Sequence, residues 1–245
     1  MVIRYGAAIP PLLIQPQAAA KRQRGSALII CLLMLLAVLM LGTSSAQIAL
    51  QEEKASRGDH DRQIALQSAE AALKDAEQDI ESSARSDLFS LARIDSFTKD
   101  CGRSTGDRHL GLCLPAPRGA APVWKRIGSV DGNTPSVPYG HFTGQTVQAG
   151  AGGLSAKPPR YIIELVSTSE KNAAKSTDKN MANTEETTRM FFRITAIGFG
   201  RTEATQVVLQ TYYQKGISGN THDAAATGRM HWREILNWEE LRDAL

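Results

Sequence analysis

The fold of this chain is decided by residues 21–50, KRQRGSALIICLLMLLAVLMLGTSSAQIAL. Three basic residues precede Gly25, and the next charged residue is Glu52. An uncharged apolar run of this length matches the ~20 residues that an α-helix needs to cross a bilayer, and its leucines and alanines favour helix. The basic residues on one side predict a cytoplasmic N-terminus. The sequence therefore predicts one membrane helix followed by an exported body.

The positive charge of the chain is concentrated at this N-terminal end. The formal net charge is +3 over 245 residues, but four of the 28 basic residues and no acidic residue lie in the first 25 positions. The remainder carries 24 basic against 25 acidic residues. The basic pI therefore indicates targeting, and no nucleic-acid partner is expected.

Three cysteines divide between two environments. Cys31 lies in the apolar run and is expected to be a small buried hydrophobe. Cys101 and Cys113 lie in the predicted exported part, where an oxidising compartment favours a disulfide between them. The alternative is a metal site that adds His109 and His60, but two cysteines without CxxC spacing make a poor zinc site. No metal or cofactor is expected.

The N-terminal segment has alternative fates. Residues 1–20 contain prolines and no helical period, so they are expected to be a disordered leader. A conventional secretory signal would end after roughly 7–15 apolar residues at an A-x-A site, whereas this run is longer and residues 43–46 form only a weak site. The helix is then either an uncleaved anchor or a helix retained after a cut on its cytoplasmic side, at Gly25.

A cut at Gly25 is favoured by a resemblance. Basic residues, a glycine, a small residue and an uninterrupted apolar helix resemble the class III signal of type IV prepilins. The residues that follow, Leu50–Lys54, Arg62 and Ala65–Leu73, are similar to the N-terminal pattern of PilX-type minor pilins. His231–Ile235 and Trp238 bear a weaker similarity to the tails of related minor pilins, and this tail is expected to dock on the body.

The resemblance implies processing, location and partners. A prepilin peptidase would cleave after Gly25 and methylate Ser26. Leaders in the family are usually much shorter, so either this leader is long or the true start lies downstream of Met1. The mature protein would cross the inner membrane once, with its body in the periplasm, and then enter the pilus on the cell surface. Its partners would be the other minor pilins, the major pilin and the inner-membrane assembly platform.

One departure from the pilin pattern is informative. Most pilins carry a glutamate at the fifth mature position, which in the family neutralises the terminal amine of a neighbouring subunit; counted from Ser26, that position is Ile30. A buried carboxylate costs several kcal/mol unless it is paired. The absence of the glutamate therefore suggests that no terminal amine of a neighbouring subunit lies close to this position. A subunit that enters the filament first would lack that neighbour, which predicts a position at or near the tip.

Gly42 and residues 43–45 weaken the exported end of the apolar helix. Glycine costs about 1 kcal/mol relative to alanine in a helix interior, and pilins melt part of this helix in the filament. The alternative is that these small residues only permit close helix packing. The sequence leaves both interpretations open.

Residues 51–96 are predicted to form a second, amphipathic helical stretch, with a break at Gly58 and a cap at Asp59 as one option. A single apolar face is formed by Leu66, Ala69, Leu73, Ala76 and Ile80, continued by Ala84, Leu88 and Leu91. Most of the polar side chains are placed outside this face: Lys74, Asp75, Glu77, Gln78 and Asp79. Glu70 is either a subunit contact or, more simply, a solvated residue.

The remaining sequence predicts a loop-rich head with a sheet. Glycines and prolines punctuate residues 97–160, where short strands are considered at residues 123–124 and 146–148. Stronger strands are predicted at Tyr161–Val166, Met190–Ile197 and Glu203–Tyr213. A short glycine-containing turn predicts that the last two form an antiparallel hairpin. The polar residues 168–188 are expected to be a mobile insertion.

The alternation within these strands predicts which side chains share a face. In the Met190–Ile197 strand, one face is expected to carry Met190, Phe192, Ile194 and Ala196, and the other Arg193 and Thr195. In the Glu203–Tyr213 strand, Thr205, Val207, Leu209, Thr211 and Tyr213 are expected together, opposite Gln206, Val208, Gln210 and Tyr212.

The predicted fold class is α+β and pilin-like: a long N-terminal helix, membrane-embedded in its first half, packs on a C-terminal antiparallel sheet. The predicted organisation is a leader over 1–25, a transmembrane or filament-core helix over 26–50, an exported amphipathic helix over 51–96 and a periplasmic head over 97–245. No phosphate loop, HExxH, GxSxG or GxGxxG signature is present, so an enzyme is not expected.

The predicted function is that of a minor pilin that primes type IV pilus assembly and supports twitching and adhesion. One alternative is a tip pseudopilin of a type II secretion system, which the missing glutamate also fits. A second is a tip adhesin that binds through its loops, and a third is an anchored periplasmic protein without a filament role.

Overall fold

A computed structural model describes residues 26–102, 106–128, 134–170, 188–217 and 227–243. The predicted leader, including Gly25, and most of the predicted mobile insertion lie outside these ranges. The chain forms two compact units, one up to Glu53 and one from Lys54 onward.

A single helix, α1 (Ser26–Ser82), runs through 57 residues. The break considered at Gly58 does not occur, because a lone glycine weakens a helix without ending it. The α-helix ends at Ser82, and the predicted continuation of the apolar face lies in two 3₁₀ turns, Ser86–Leu88 and Leu91–Ser96.

The described residues of the second unit form one sheet of six strands in the order β1-β3-β4-β5-β6, with β2 also paired to β3. The elements are β1 (Leu112–Cys113), β2 (Val137–Pro138), β3 (Arg160–Glu170), β4 (Thr188–Phe199), β5 (Gln206–Ile217), β6 (Gly228–Glu234) and a short helix α2 (Trp238–Asp243). The pairs β2–β3, β3–β4, β4–β5 and β5–β6 are antiparallel as predicted, and the structure adds that β1 pairs with β3 in parallel, so the sheet is mixed.

The three strong strand predictions are confirmed as β3, β4 and β5. Strands β4 and β5 form the predicted antiparallel hairpin, with Gly198 opposite Val207. The two short candidates were wrong: residues 123–126 form a 3₁₀ turn after Pro122, and residues 146–148 are exposed and lie in no strand. Those few β-branched residues find no neighbouring strand to pair with, and pairing is what stabilises a strand.

The alternation predicted within each strand of the hairpin is confirmed, and the structure adds that the two apolar sets share the side of the sheet that faces α1. The apolar face of α1 packs on the sheet side chains that the alternation placed together. This main core includes Ala65, Ala69, Leu73, Ala76, Ile80, Met190, Phe192, Ile194, Ala196, Val207, Leu209 and Tyr213.

The opposite face of the sheet carries a second, smaller core. It contains the Cys101–Cys113 pair, Ile197, Val208 and Trp238, which is only 4% exposed. Trp238 also donates from Nε1 to Gln206 Oε1 at 3.1 Å. The expected docking of the C-terminal tail on the body is therefore confirmed for this residue.

Gly198 allows α1 to lie directly on the hairpin. A Cβ at this position would stand 2.2 Å from Ala65 O and 2.2 Å from Ala69 N. Both contacts are backbone atoms, which cannot turn aside as a side chain can. Small residues on both elements therefore set the distance between helix and sheet.

Substitution Gly198→Ala is expected to lower the free energy of unfolding by about 1–3 kcal/mol, because the added methyl group forces helix and sheet apart. Urea unfolding of the full chain in detergent micelles, followed by tryptophan fluorescence, measures this. The matched control is Gly58→Ala, where a Cβ meets nothing within 4 Å. This control should be neutral or stabilising by up to about 1 kcal/mol. Equal midpoints for the two variants would contradict the close-approach argument.

Candidate functional site

The first unit presents a helical surface that is exposed and apolar throughout. Residues 26–50 are all exposed, and an 18-residue window of α1 reaches a mean hydropathy of 2.7 with no residue buried. By length and composition this helix can cross a membrane. A continuous apolar surface of this size needs lipid or other helices to cover it. We call residues 26–50 the apolar helix surface.

The processing residues predicted for this segment stand at its beginning. Ser26 is the first residue of α1, and Gly25 lies outside the described residues. Ile30, the residue that the predicted cleavage would make the fifth of the mature chain, is 54% exposed on the apolar helix surface. Cys31 is free and exposed, so the expected burial of its side chain would require surroundings outside this chain.

Three consecutive residues of the apolar helix surface carry hydroxyl groups that donate hydrogen bonds to backbone carbonyls of the same helix. Thr43 Oγ1 and Ser44 Oγ donate to Met40 O at 3.0 and 2.8 Å, and Ser45 Oγ donates to Leu41 O at 2.9 Å. Such bonds remove the cost of placing hydroxyls in an apolar environment. Residues 43–45 are helical here.

The second unit is fastened by a buried charged group at the end of α1. Asp79 and Arg85 are both fully buried, and the guanidinium binds both carboxylate oxygens through Nε (3.0 and 3.1 Å) and Nη2 (2.5 Å). Tyr161 on β3 donates its hydroxyl to Asp79 Oδ2 at 2.7 Å. Burial and the Asp79 charge raise the pKa of Tyr161 well above its ordinary value, so this hydroxyl remains a donor. We call Asp79, Arg85 and Tyr161 the anchor cluster.

Arg85 also positions the disulfide loop. Its Nη1 donates to Arg108 O at 2.8 Å and to Leu110 O at 2.6 Å. The guanidinium lies 3.6 Å from the centroid of the Phe142 ring. The buried cation is therefore contacted by a carboxylate, two carbonyls and an aromatic ring.

Asp75 holds a further loop one turn before Asp79. Its carboxylate accepts the Gly140 N–H at 2.7 Å and the Thr143 hydroxyl. Burial is the largest reason that the pKa of Asp75 is raised above its ordinary value, and the Asp79 charge adds to it. The prediction that Asp75 and Asp79 lie mostly outside the buried face was therefore wrong. Both side chains are buried because hydrogen-bond donors from β3 and the loops meet them.

Asp61 makes the corresponding contact at the other end of the packed helix. Its carboxylate accepts the Arg201 N–H and, at 2.5 Å, the Thr205 hydroxyl in the β4–β5 turn. Its slight burial raises the pKa of this carboxyl, but the hydrogen bonds from Thr205 and Arg201 outweigh that effect and hold the pKa below its ordinary value. The helix is thus fixed to the sheet at both ends.

The disulfide prediction is confirmed, and the metal alternative for these two cysteines was wrong. Cys101 and Cys113 are bonded to each other and buried. The third candidate ligand, His109, pairs with Asp107 through Nδ1 and Oδ1 at 2.9 Å. Among the described residues, no group of three or more His, Cys, Asp or Glu side chains is arranged to hold a metal ion.

Glu70 lies at partial exposure in an open cleft on the outer side of α1. The cleft is shared with Lys74, Tyr139 and Gln145. Its role as a subunit contact stays a prediction.

The sequence did not predict the anchor cluster. The signal that was present is Asp79, an acidic residue beside Ala76 and Ile80 of the apolar face.

The fold and the apolar helix surface define a class of protein. A membrane-length N-terminal helix whose later turns pack on a mixed sheet is the architecture of a pilin-like subunit. Two family models match the chain and specify the class further. One, described as PilX N-terminal, matches residues 24–74, and the other, described as type IV pilus assembly protein PilX C-term, matches residues 104–215. The chain belongs to the PilX-type family of type IV pilus minor pilins. No curated protein and no solved structure matches it.

Substitution Arg85→Met is expected to destabilise the second unit by about 3–5 kcal/mol, because it leaves the Asp79 carboxylate buried without its cation. Urea unfolding of the full chain in detergent micelles measures the change. The matched control is Arg108→Met, which breaks an exposed ion pair with Asp87 and should cost about 0–1 kcal/mol.

A double variant separates pairing from packing. If the loss comes from the unpaired carboxylate, Asp79→Leu combined with Arg85→Met should be more stable than Arg85→Met alone. Additive losses in the double variant would contradict the account of the anchor cluster as an ion pair.

Proposed function

We propose that this minor pilin primes type IV pilus assembly and stays at or near the tip of the filament. The observation that supports a tip position is Ile30, an exposed apolar side chain at the place where a glutamate would neutralise a neighbour's terminal amine. A first subunit has no such neighbour, and an unpaired carboxylate there would carry a desolvation penalty. The protein acts by association and not by catalysis, in keeping with the structural role of its family.

The apolar helix surface is proposed to move from the inner membrane into a bundle of similar helices. The move is feasible because a helix satisfies its own backbone groups in both environments. Both environments are apolar, so hydrophobic burial supplies little net driving force and packing and polar contacts must provide specificity. The head, fixed to α1 by the anchor cluster, is the part that can present such contacts in a fixed arrangement.

The proposed topology follows the charges of the N-terminus. Lys21, Arg22 and Arg24 would remain in the cytoplasm, and the head would lie in the periplasm before assembly. The proposed partners are the prepilin peptidase, the other minor pilins, the major pilin and the inner-membrane assembly platform. Support of twitching and adhesion would follow from the presence of pili.

Mass spectrometry of the protein purified from pili or membranes tests the processing. The expected mature N-terminus is methylated Ser26, with the whole apolar helix retained. Gly25→Val should abolish cleavage, while the conservative variant Ala27→Gly should be processed normally. A mature N-terminus near Gln47, or an intact leader in functional pili, would contradict the proposal.

The tip position is tested by deletion, labelling and one substitution. Deletion should abolish or greatly reduce surface pili, and an epitope-tagged protein should label pilus ends. Ile30→Glu should reduce the number of surface pili severalfold, because the new carboxylate has no amine to pair with. Ile30→Leu should leave the number of pili normal. Label along the whole shaft, or full activity of Ile30→Glu, would count against a tip position.

A tip pseudopilin of a type II secretion system is the second candidate, because the absence of glutamate at Ile30 fits it equally. The family match favours the pilus. Loss of protein secretion with intact twitching in the deletion strain would reverse the order. A tip adhesin would require that the purified protein bind cells or surfaces.

A further inference from the structure

Strand β6 ends the sheet on one side. On the other side of the sheet, β1 and β2 cover the outer edge of β3. Within the described part of the chain, β6 pairs with β5 on one side, and no strand pairs with the other edge of β6. An open edge of this kind presents backbone donors and acceptors to any strand that approaches.

The hydrogen-bond phase of β6 identifies the groups on this edge. Ile235 N–H donates to Val208 O at 2.8 Å, and Glu234 stands opposite Leu209. In an antiparallel pair, alternate residues direct both backbone groups to the partner strand. His231 and Arg233 therefore bond to β5, while Trp232 and Glu234 direct their N–H and C=O groups outward.

The edge is held in place before any partner arrives. Arg62 on α1 binds Glu234 at 2.6 Å, and Arg229 binds Glu77 of α1 at 2.6 Å. Thr211 Oγ1 also donates to His231 O at 2.6 Å. Ion pairs at both ends of β6 fix it against the helix, so a partner strand would not have to order it.

Two large apolar side chains are exposed on this strand. Met230 is 59% exposed and Trp232 is 47% exposed. Natural proteins usually blunt an open edge with charges, prolines or bulges. Charges and a bulge both occur on β6, but the bulge opposite Tyr212 and Tyr213 lies before the straight run from His231 to Glu234, and Arg229 and Glu234 are paired with α1. An exposed tryptophan beside outward backbone groups is more typical of a binding edge than of a protected one.

The charges beside the edge specify the partner. Trp232 stands opposite Thr211 on the α1 side of the sheet, and His231 and Arg233 stand on the other side. Arg233 donates from Nη2 to the neutral Gln210 Oε1 at 2.9 Å. No carboxylate in the described ranges lies within ion-pair distance of Arg233.

We propose that β6 is a docking edge that accepts an extended strand of another protein, with acidic side chains beside His231 and Arg233 and an apolar side chain beside Trp232. Backbone hydrogen bonds would supply the affinity, and the alternating side chains would supply the selectivity. This partner surface goes beyond the proposed function and does not rest on it.

A second copy of this chain is a poorer occupant. Antiparallel pairing of two copies centred on Trp232 would place His231 of one copy directly opposite Arg233 of the other. Pairing centred on Arg233 would place two guanidinium groups opposite each other. Like charges directly across a pair of strands are destabilising, so the edge is complementary to an acidic strand and not to itself.

Residue-resolved hydrogen exchange on the full chain in detergent micelles tests the proposal. The probe is a synthetic strand of about six residues that alternates valine and glutamate, and the matched probe replaces glutamate with lysine. The acidic probe at saturation should slow exchange of the Trp232 and Glu234 amides about tenfold or more. The His231 and Arg233 amides, already bonded to β5, should change little.

Two charge reversals sharpen the test. Arg233→Glu should exchange the preference, so that the lysine probe protects Trp232 and Glu234 and the acidic probe does not. Arg118→Glu, on an exposed loop, makes the same charge change elsewhere and should leave the preference as it was. Trp232→Thr keeps a strand-forming residue and should weaken binding of the acidic probe severalfold.

Several results would overturn the proposal. These are no protection by the acidic probe, equal protection by both probes, and a preference that survives Arg233→Glu. Protection of Trp232 and Glu234 that rises with protein concentration in the absence of any probe would identify a second copy as the occupant instead.

Discussion

The structure of the head depends on one buried ion pair. Asp79 and Arg85 are withdrawn completely from water, and each charge loses several kcal/mol of hydration on burial. That loss is offset because the two side chains are also hydrogen-bonded to other groups. Tyr161 donates to the Asp79 carboxylate, and the Arg85 guanidinium donates to two carbonyls of the disulfide loop. The pair therefore joins the last turn of α1, strand β3 and the loop closed by Cys101 and Cys113. Such a constraint fixes the register of helix against sheet more strictly than apolar packing does, since apolar contacts are non-directional.

Fixing this register matters for a protein whose role is association. An apolar helix that passes from lipid to a helix bundle gains little free energy, and it distinguishes poorly among apolar neighbours. Selection of neighbours must then come from surfaces on the second unit, and these are selective only if they hold a constant arrangement. Asp61 at one end of the packed helix and the anchor cluster at the other prevent α1 from sliding along the sheet. Gly198 sets the distance between α1 and the sheet.

The sequence predicted those parts of the fold that repeat with a local period. The steps of three and four from Leu66 to Ile80 and the alternation from Met190 to Ala196 depend only on neighbouring residues, and both faces are confirmed. The Asp79–Arg85 pair could not be predicted in this way, because Arg85 follows the end of the helix and Tyr161 lies on a distant strand. Strands β1 and β2, of two residues each, carry no period at all. Strand β6 was missed because GRMHWRE contains no β-branched residue, and its pairing with β5 decides its structure.

The two surfaces open to partners differ in physical character. The apolar helix surface binds through area, so any environment of similar polarity suits it, lipid and helix bundle alike. The β6 edge binds through backbone groups whose positions are fixed by strand geometry. Arg233 adds a positive charge, to which a partner must present a negative one. A chain with only the first surface would remain in the membrane or join any bundle of helices. The second surface can discriminate because a strand that is displaced by one residue turns its acidic side chains towards Trp232 and away from Arg233. Association through the helix can therefore be permissive while association through the head is selective, and the ion pairs of Arg62 and Glu77 on α1 with Glu234 and Arg229 hold the selective strand against the helix.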